Sequence, residues 1–497
     1  MDLSNTILIK KEARLTPPVI DMLDLETQEN PIRTPDRTGY SKNLGRTYPL
    51  VKIGNVRIPA SDLVSVSLFY DEFLPKIHIS IIDPMGTLTS VNFPKTNPLI
   101  TVYIAPSHPK LVSLCQTFLI SDFHSIPIRL NLTRYDFFGE LYVPKLNSNF
   151  VKSYNKMTSQ DALLKIAEEL GLGYASNEES FNDSMTWINP NLNYSNFIKN
   201  IADHTYKNET SFFECFIDRR YNLTLVNVDT QLKPYDRKEK PEMGYSSVST
   251  DYLDLSKSKN GNKTVADDLQ TPIILSNGPI NPPNSEFTIT EFSLVGENGS
   301  VLKREGFKKK VQFYQHGEAS PVKDWFVEPL SKPSNDGELT YPKPELTDYT
   351  QNYVVKWMGT DYGNSHANYK FAKLINSHNR EDISRTELKV KLVGMNNNVA
   401  RGSRVIVKIY SDQIKKVGLE NAKDELDAKS TASDLEDKAT AKGSLMYEDE
   451  YLSGAYYVKS ITYHYNSQAD VRNSRFSTTM ILTRREWLPE PKMELKK

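Results

Sequence analysis

The chain has 497 residues, 38% of them hydrophobic and 25% charged, enough to fill the cores of three or four ordinary domains. Its 61 basic and 62 acidic residues leave a formal charge of -1. That balance argues against sequence-specific nucleic-acid binding, which needs a surplus of Lys and Arg to neutralise phosphates.

Residues 1–45 show no periodicity and carry Pro17, Pro18, Pro31 and Pro35, the pattern of an extended arm ordered only where a neighbour holds it. Charged Asp2, Lys10, Lys11 and Glu12 interrupt any apolar core of a signal peptide. No stretch approaches the roughly 18 apolar residues of a membrane span. From 46 to 145 the period is two. Val64, Val66, Leu68 and Tyr70 alternate with Ser65, Ser67 and Phe69, and Ile77, Ile79 and Ile81 with Lys76, His78 and Ser80. Ile100, Val102 and Ile104 repeat the pattern, and Tyr135–Val143 reads as a further strand. Several short antiparallel strands in this length predict a small barrel or sandwich.

Over 146–230 the period changes to 3.6. Thr158 or Ser159 can cap a helix that buries Leu163, Ile166, Ala167 and Leu170, and Gly171 can stop it. A second helix carries Tyr194, Phe197, Ile198 and Ile201. A hairpin follows, Phe212–Ile217 and Leu223–Val228, turning at Asp218-Arg219-Arg220-Tyr221-Asn222.

The stretch 231–385 reads as a polar insertion to about 285, then a hairpin and a helix. Phe287–Val295 and Val301–Tyr314 flank Gly296-Glu297-Asn298-Gly299, and the helix covers about 362–380. Residues 386–487 return to strands at Leu388–Val393, Arg404–Tyr410, Ala455–Tyr465 and Phe476–Thr483, a second barrel-like region with a charged loop at 411–450. Residues 488–497 form a tail. The fold class expected is α+β: two small antiparallel β-barrels bracketing a mixed α/β middle, with polar insertions.

Signatures of chemistry do not emerge. The sequence has no Gly-x-x-x-x-Gly-Lys phosphate loop, no Gly-x-Gly-x-x-Gly after a strand, no Gly-x-Ser-x-Gly elbow and no His-Glu-x-x-His pair. His366 and His378 lie near one helix but have no metal-ligand pattern, and His124 or His204 as a general base is unconstrained. Lys308, Lys309 and Lys310 read as a solvated strand end. Cys115 and Cys215 sit among apolar neighbours and read as buried thiols, too few for a disulfide framework. The 27 tyrosines, among them Tyr456, Tyr457, Tyr463 and Tyr465, fit sheet packing or subunit contact, with glycan stacking as the alternative. No catalytic, cofactor-binding or metal-ligating residue is assigned, and no cofactor is expected.

Two stretches resemble a known family. The first is Lys152–Val228: Met157-Thr158-Ser159-Gln160-Asp161-Ala162-Leu163 opens a helix ending at Gly171-Leu172, Trp187-Ile188-Asn189-Pro190 follows, Asn193-Tyr194-Ser195-Asn196-Phe197-Ile198 opens a second helix, and the hairpin with Ile217-Asp218 and Leu223-Thr224-Leu225 closes the unit. The second comprises Gly394, Arg401-Gly402-Ser403-Arg404-Val405, Leu452-Ser453-Gly454-Ala455-Tyr456-Tyr457-Val458 and Thr483-Arg484-Arg485-Glu486. In this order they resemble the central baseplate hub of T-even-type contractile bacteriophages and, more distantly, the hub part of type VI secretion spikes. The resemblance spans most of 46–230 and 350–487; the polar stretches 231–285 and 411–450 depart from it.

It implies a non-enzymatic homotrimer whose paired barrels make a six-lobed ring. Such a ring adapts a hexameric tail tube to a trimeric central spike and lets DNA pass. Tail tube proteins, the spike and other baseplate (wedge) proteins are the implied partners. The implied location is the virion tail baseplate, assembled in the host cytoplasm. A receptor- or glycan-binding tail protein and a tail-associated cell-wall hydrolase are the alternatives.

Overall fold

The fold is given by a computed structural model. It describes residues 7–15, 48–104 (except 55, 85, 87 and 89–97), 114–129, 132–232 (except 209), 274–277, 288–296, 309–315, 323–327, 353–358, 365–411 (except 385 and 396–398), 447–449, 452–469 and 475–484. In chain order, β1 (Leu8–Lys11) precedes a first β region made of β2 (Leu50–Ile53), β3 (Val56–Ile58), β4 (Leu63–Tyr70), β5 (Lys76–Asp83), β6 (Leu99–Ile104), β7 (Leu114–Arg129) and β8 (Leu132–Leu141). The middle contains β9 (Asn149–Met157), α1 (Ser159–Leu170), β10 (Gly173–Ser176), β11 (Met185–Asn193), α2 (Tyr194–Asp203), β12 (Phe213–Ile217), β13 (Asn222–Asn227) and α3 (Val228–Gln231). Then come β14 (Ile274–Ser276), β15 (Ile289–Gly296), β16 (Lys309–Gln315), β17 (Lys323–Val327), β18 (Tyr353–Met358) and α4 (Tyr369–Ile383). The chain finishes with β19 (Thr386–Val393), β20 (Arg404–Lys408), β21 (Tyr410–Ser411), β22 (Tyr447–Glu448), β23 (Gly454–Asn466) and β24 (Phe476–Thr483).

The middle forms for local reasons that the sequence displays. Thr158 Oγ1 accepts from Asp161 N at 3.2 Å to cap α1, and Gly171 ends it at φ 74°, a conformation that suits a residue without Cβ. Asn193 Oδ1 caps α2 by accepting from Asn196 N at 2.8 Å. The stripes Leu163, Ile166, Leu170 and Phe197, Ile198, Ile201 are buried, as their spacing predicts. They cover a four-stranded sheet ordered β1-β10-β13-β12. The arm residues Leu8–Lys11 thus gain order by adding a strand to β10.

The two β regions do not form two closed barrels. They belong to one 13-stranded sheet whose path runs β15-β19-β24-β23-β4-β5-β8-β7-β6-β2-β3, with β20 also paired to β23 and β14 to β20. The reason is a choice of edge: the outer half of β23 pairs with β4 instead of closing its own region. A second expectation also changes. Although Gly296-Glu297-Asn298-Gly299 has hairpin chemistry, β15 pairs with β19, while β16 pairs with β17 and β18. Long-range pairing overrides the local turn signal here. Consequently β14, within the stretch read as insertion, and β15, read as half of a hairpin, are strands of the second β region. The bulk of the two polar stretches, 233–273 and 412–446, and residues 485–497 lie outside the described residues.

The two β regions share one plan. The first is ordered β4-β5-β8-β7-β6-β2 and the second β15-β19-β24-β23-β20-β14, so each strand has a counterpart in the same chain order. Even the irregularities coincide. A register shift at Val64 in β4 matches one at Thr290 in β15, and one at Ser121 in β7 matches one at Lys459 in β23. Ile120 N donates to Pro98 O at 2.8 Å just where Val458 N donates to Ser403 O at 2.9 Å. Ile77, Ile79 and Ile81 fall opposite the same positions as Leu388, Val390 and Leu392, and all six are buried. One strand departs from the plan: β2 runs antiparallel to β6, whereas β14 runs parallel to β20.

Candidate functional site

Several polar and titratable groups of the interior are bound within the fold. Glu214 accepts from Tyr457 OH at 2.9 Å and pairs with Arg401 at 3.3 Å. Asp218 accepts from Asn222 N at 2.7 Å and Arg220 N at 2.8 Å, fixing the β12–β13 turn, and burial pushes its carboxyl upward. The same turn wedges between the two β regions. Arg219 Nη1 donates to Val399 O at 2.8 Å and to Tyr463 OH at 3.0 Å, while Tyr221 OH accepts from Thr117 N at 2.8 Å. A pocket at this junction is lined by Tyr70, Phe216, Arg219 and Tyr463.

The histidines are dispersed. His124 is exposed, 3.6 Å from Asp122. His204 and His366 meet beside α4: His366 Nε2 lies 3.0 Å from His204 O, and the His204 ring stacks on Tyr369 at 3.7 Å. Burial lowers both, His204 to about 4. The side chains of His378, Lys309 and Lys310, and all of Lys308, lie outside the described residues. Among the described residues no three His, Cys, Asp or Glu side chains gather as metal ligands. Cys115 and Cys215 are half-buried, not fully buried, and their surroundings push the thiols up to about 11 and about 12. No helix among the described residues is long and apolar enough to cross a membrane. Tyr456, Tyr457, Tyr463 and Tyr465 are all buried, which leaves their rings to packing.

What remains is a surface made of sheet edges. Within the chain, β23 and β4 join antiparallel with Ile461 opposite Tyr70, Tyr463 opposite Leu68, His464 opposite Ser67 and Tyr465 opposite Val66. Ser67 Oγ and His464 Nδ1 are 2.7 Å apart across this joint. Val66, Leu68 and Ile461 are each 1% exposed there. Their counterparts in the duplicated plan are Phe292, Leu294 and Phe123, which are 42%, 41% and 39% exposed. Among the described residues β15 pairs only with β19, and β7 beyond Ile120 pairs only with β8. Ile126, Ile128 and Val295 add to these two apolar edges. Such edges are rarely left open in a monomer, because they template further pairing. Sequence reading had passed over both edges: β7 was not recognised as a strand, and β15 was placed in a hairpin.

Searches of protein-family models and of curated proteins return no match. Among solved structures, a tail protein from Neisseria meningitidis is 10% identical with a TM-score of 0.45, over 88% of this chain and 96% of that one. A 43 kDa tail protein of prophage MuSo2 from Shewanella oneidensis is 9% identical with a TM-score of 0.45, over 88% and 98%. An Escherichia coli component of the type VI secretion system is 10% identical with a TM-score of 0.39, over 89% and 77%. At these scores the overlaps do not by themselves establish a common fold.

Proposed function

We propose that the chain is a structural hub of a contractile phage-tail baseplate: a homotrimeric ring adapting a six-fold tail tube to a three-fold central spike and leaving a channel for DNA. The observation that carries this reading is the duplicated β plan. Three copies of a chain with two like β regions present six near-equivalent units to a six-fold partner while remaining three-fold toward the spike. The resemblance of 152–228 and of the carboxy-terminal motifs to contractile-phage hubs supports the same assignment. In this reading the protein is not an enzyme; tube, spike and wedge proteins are its partners and the tail baseplate its location. The receptor- or glycan-binding alternative drew on the tyrosine-rich strands, and those rings are buried.

Two measurements test the proposal. The mass in solution should be three times the 56.7 kDa of the chain. Peptidoglycan, peptide and nucleotide substrates should not be turned over. A strictly monomeric protein removes the ring, and turnover abolished by one Asp, Glu, His or Ser substitution makes the protein an enzyme.

A further inference from the structure

We infer that β15 of one copy pairs antiparallel with the outer half of β7 in the next copy, in a register set by the intrachain joint between β23 and β4. The inference rests on the ring reading and adds to it the interface and its alignment.

In the shared plan β15 occupies the place of β4, and β7 the place of β23. The chain therefore shows how the first-place strand of one region receives the fourth-place strand of the other. It shows this once, and the same two surfaces are left over at the remaining ends. On the fourth-place strands the division of labour is the same. The first part of β23 pairs with β20 through Gly454–Tyr457, and its second part, Ile461–Asn466, pairs with β4. Likewise the first part of β7 pairs with β6 through Leu114–Leu119, and the second part has β8 on one side alone among the described residues.

The coincident register shifts fix the alignment residue by residue. Ser121 matches Lys459, so Phe123, Ser125, Ile126 and Ile128 match Ile461, Tyr463, His464 and Asn466. Thr290 matches Val64, so Glu291, Ser293, Leu294 and Gly296 match Ser65, Ser67, Leu68 and Tyr70. Transferring the joint places Phe123 opposite Gly296, Ser125 opposite Leu294, Ile126 opposite Ser293, and Ile128 opposite Glu291. On one face Phe123, Ser125 and Pro127 then stand against Gly296, Leu294 and Phe292, and on the other His124, Ile126 and Ile128 stand against Val295, Ser293 and Glu291. Phe123 would lie against Gly296, which leaves room for the ring where the internal joint has Tyr70 against Ile461. Arg129, one position further, comes beside Glu291, so the charges at this end are opposite in sign. A contact between two different strands is head-to-tail, and such contacts close into a ring when the rotation per copy permits.

Paired cysteines test the register. Facing residues on antiparallel strands lie about 4.5–5.5 Å apart at Cα, within disulfide reach. Ser293→Cys with Ile126→Cys, and separately Leu294→Cys with Ser125→Cys, are expected to give a covalent trimer on oxidation, seen without reductant after denaturation. Neighbouring pairs alternate between the close and the wide kind, so at least one should link efficiently. Ser293→Cys with Phe123→Cys, three positions out of register, should give no more than the parent with its own Cys115 and Cys215. A mixture of the Ser293→Cys and Ile126→Cys single variants should yield linked dimers that neither gives alone. If the parent is trimeric but neither facing pair links, or the shifted pair links equally well, the edge pairing is wrong and the ring survives it. If the parent is monomeric at every concentration, the ring itself falls, and this inference with it.

Discussion

The joint between β4 and β23 and the open edges of β15 and β7 are built from matching positions on a repeated plan, yet they differ in almost every physical respect. At the joint, Val66, Leu68, Ile461, Tyr463 and Tyr465 are buried and a hydrogen bond links Ser67 to His464. At the open edges, Phe292, Leu294, Phe123 and Ile126 face solvent, and Ile126 stands where the joint has histidine. The duplication keeps alternation and register while side chains diverge, because a strand's place in a sheet is set by pattern and turn placement more than by identity. Equal positions can therefore serve a permanent joint in one region and an assembly contact in the other.

The sharpest way to break this comparison is to shorten the same leucine in both regions. Leu68→Ala removes fully buried methyl groups and should cost about 2–5 kcal/mol in the unfolding of the chain. Leu294→Ala, at the matching place, should cost less than about 1 kcal/mol in an unassembled chain. Denaturant unfolding in dilute and concentrated protein separates the two. Equal losses in dilute protein would show that β15 is packed within the chain after all.

Acid offers the next largest effect. His204 is depressed to about 4 by burial, with Lys373 and His366 opposing its protonation and Asp203 and the Asn200 carbonyl favouring it. A histidine lowered in the fold binds its proton more readily when unfolded. Its contribution is full above the ordinary value near 6.5 and is lost as pH falls toward 4. The loss is on the order of 3 kcal/mol. His464, lowered by burial and by the neighbouring His78 and Lys391, puts a smaller dependence of the same sign on the joint. Between pH 7.5 and 5, amide protection, corrected for the intrinsic exchange rate, should fall at Ile461–Asn466 and Ser65–Tyr70. Unchanged protection of the joint over this range would contradict this.

The smallest effect concerns the two serines. Ser67→Ala removes the bond to His464 and should cost about 1 kcal/mol, whereas Ser293→Ala should leave the unassembled chain unchanged. Thermal unfolding of both variants against the parent reads this difference.

Many individual elements and the presence of two like β regions were legible in the sequence; their strand-by-strand match and their joining into one sheet were not. β4, β5, β23 and β24 alternate over part of their length, and α1 and α2 carry clean caps and stripes. β7 escaped notice because Ser121–Arg129 is exposed on both faces, so no alternation marks it. The strand-by-strand correspondence of the two β regions escaped because β4 and β5 are close in the chain, while β15 and β19 are separated by the whole of 297–385. Ser67-Leu68 and Ser293-Leu294 are among the few identities that survive at matched positions. The expectation of closed barrels failed because closing a barrel and joining a neighbour compete for the same edge, and β23 shows which use prevails.

The account stands most directly on the shape of the assembled particle. Projection images of the purified protein should show a ring with a central channel and six lobes of similar size, formed by three chains. A ring of three lobes, or an elongated particle with the two β regions at opposite ends, would contradict it.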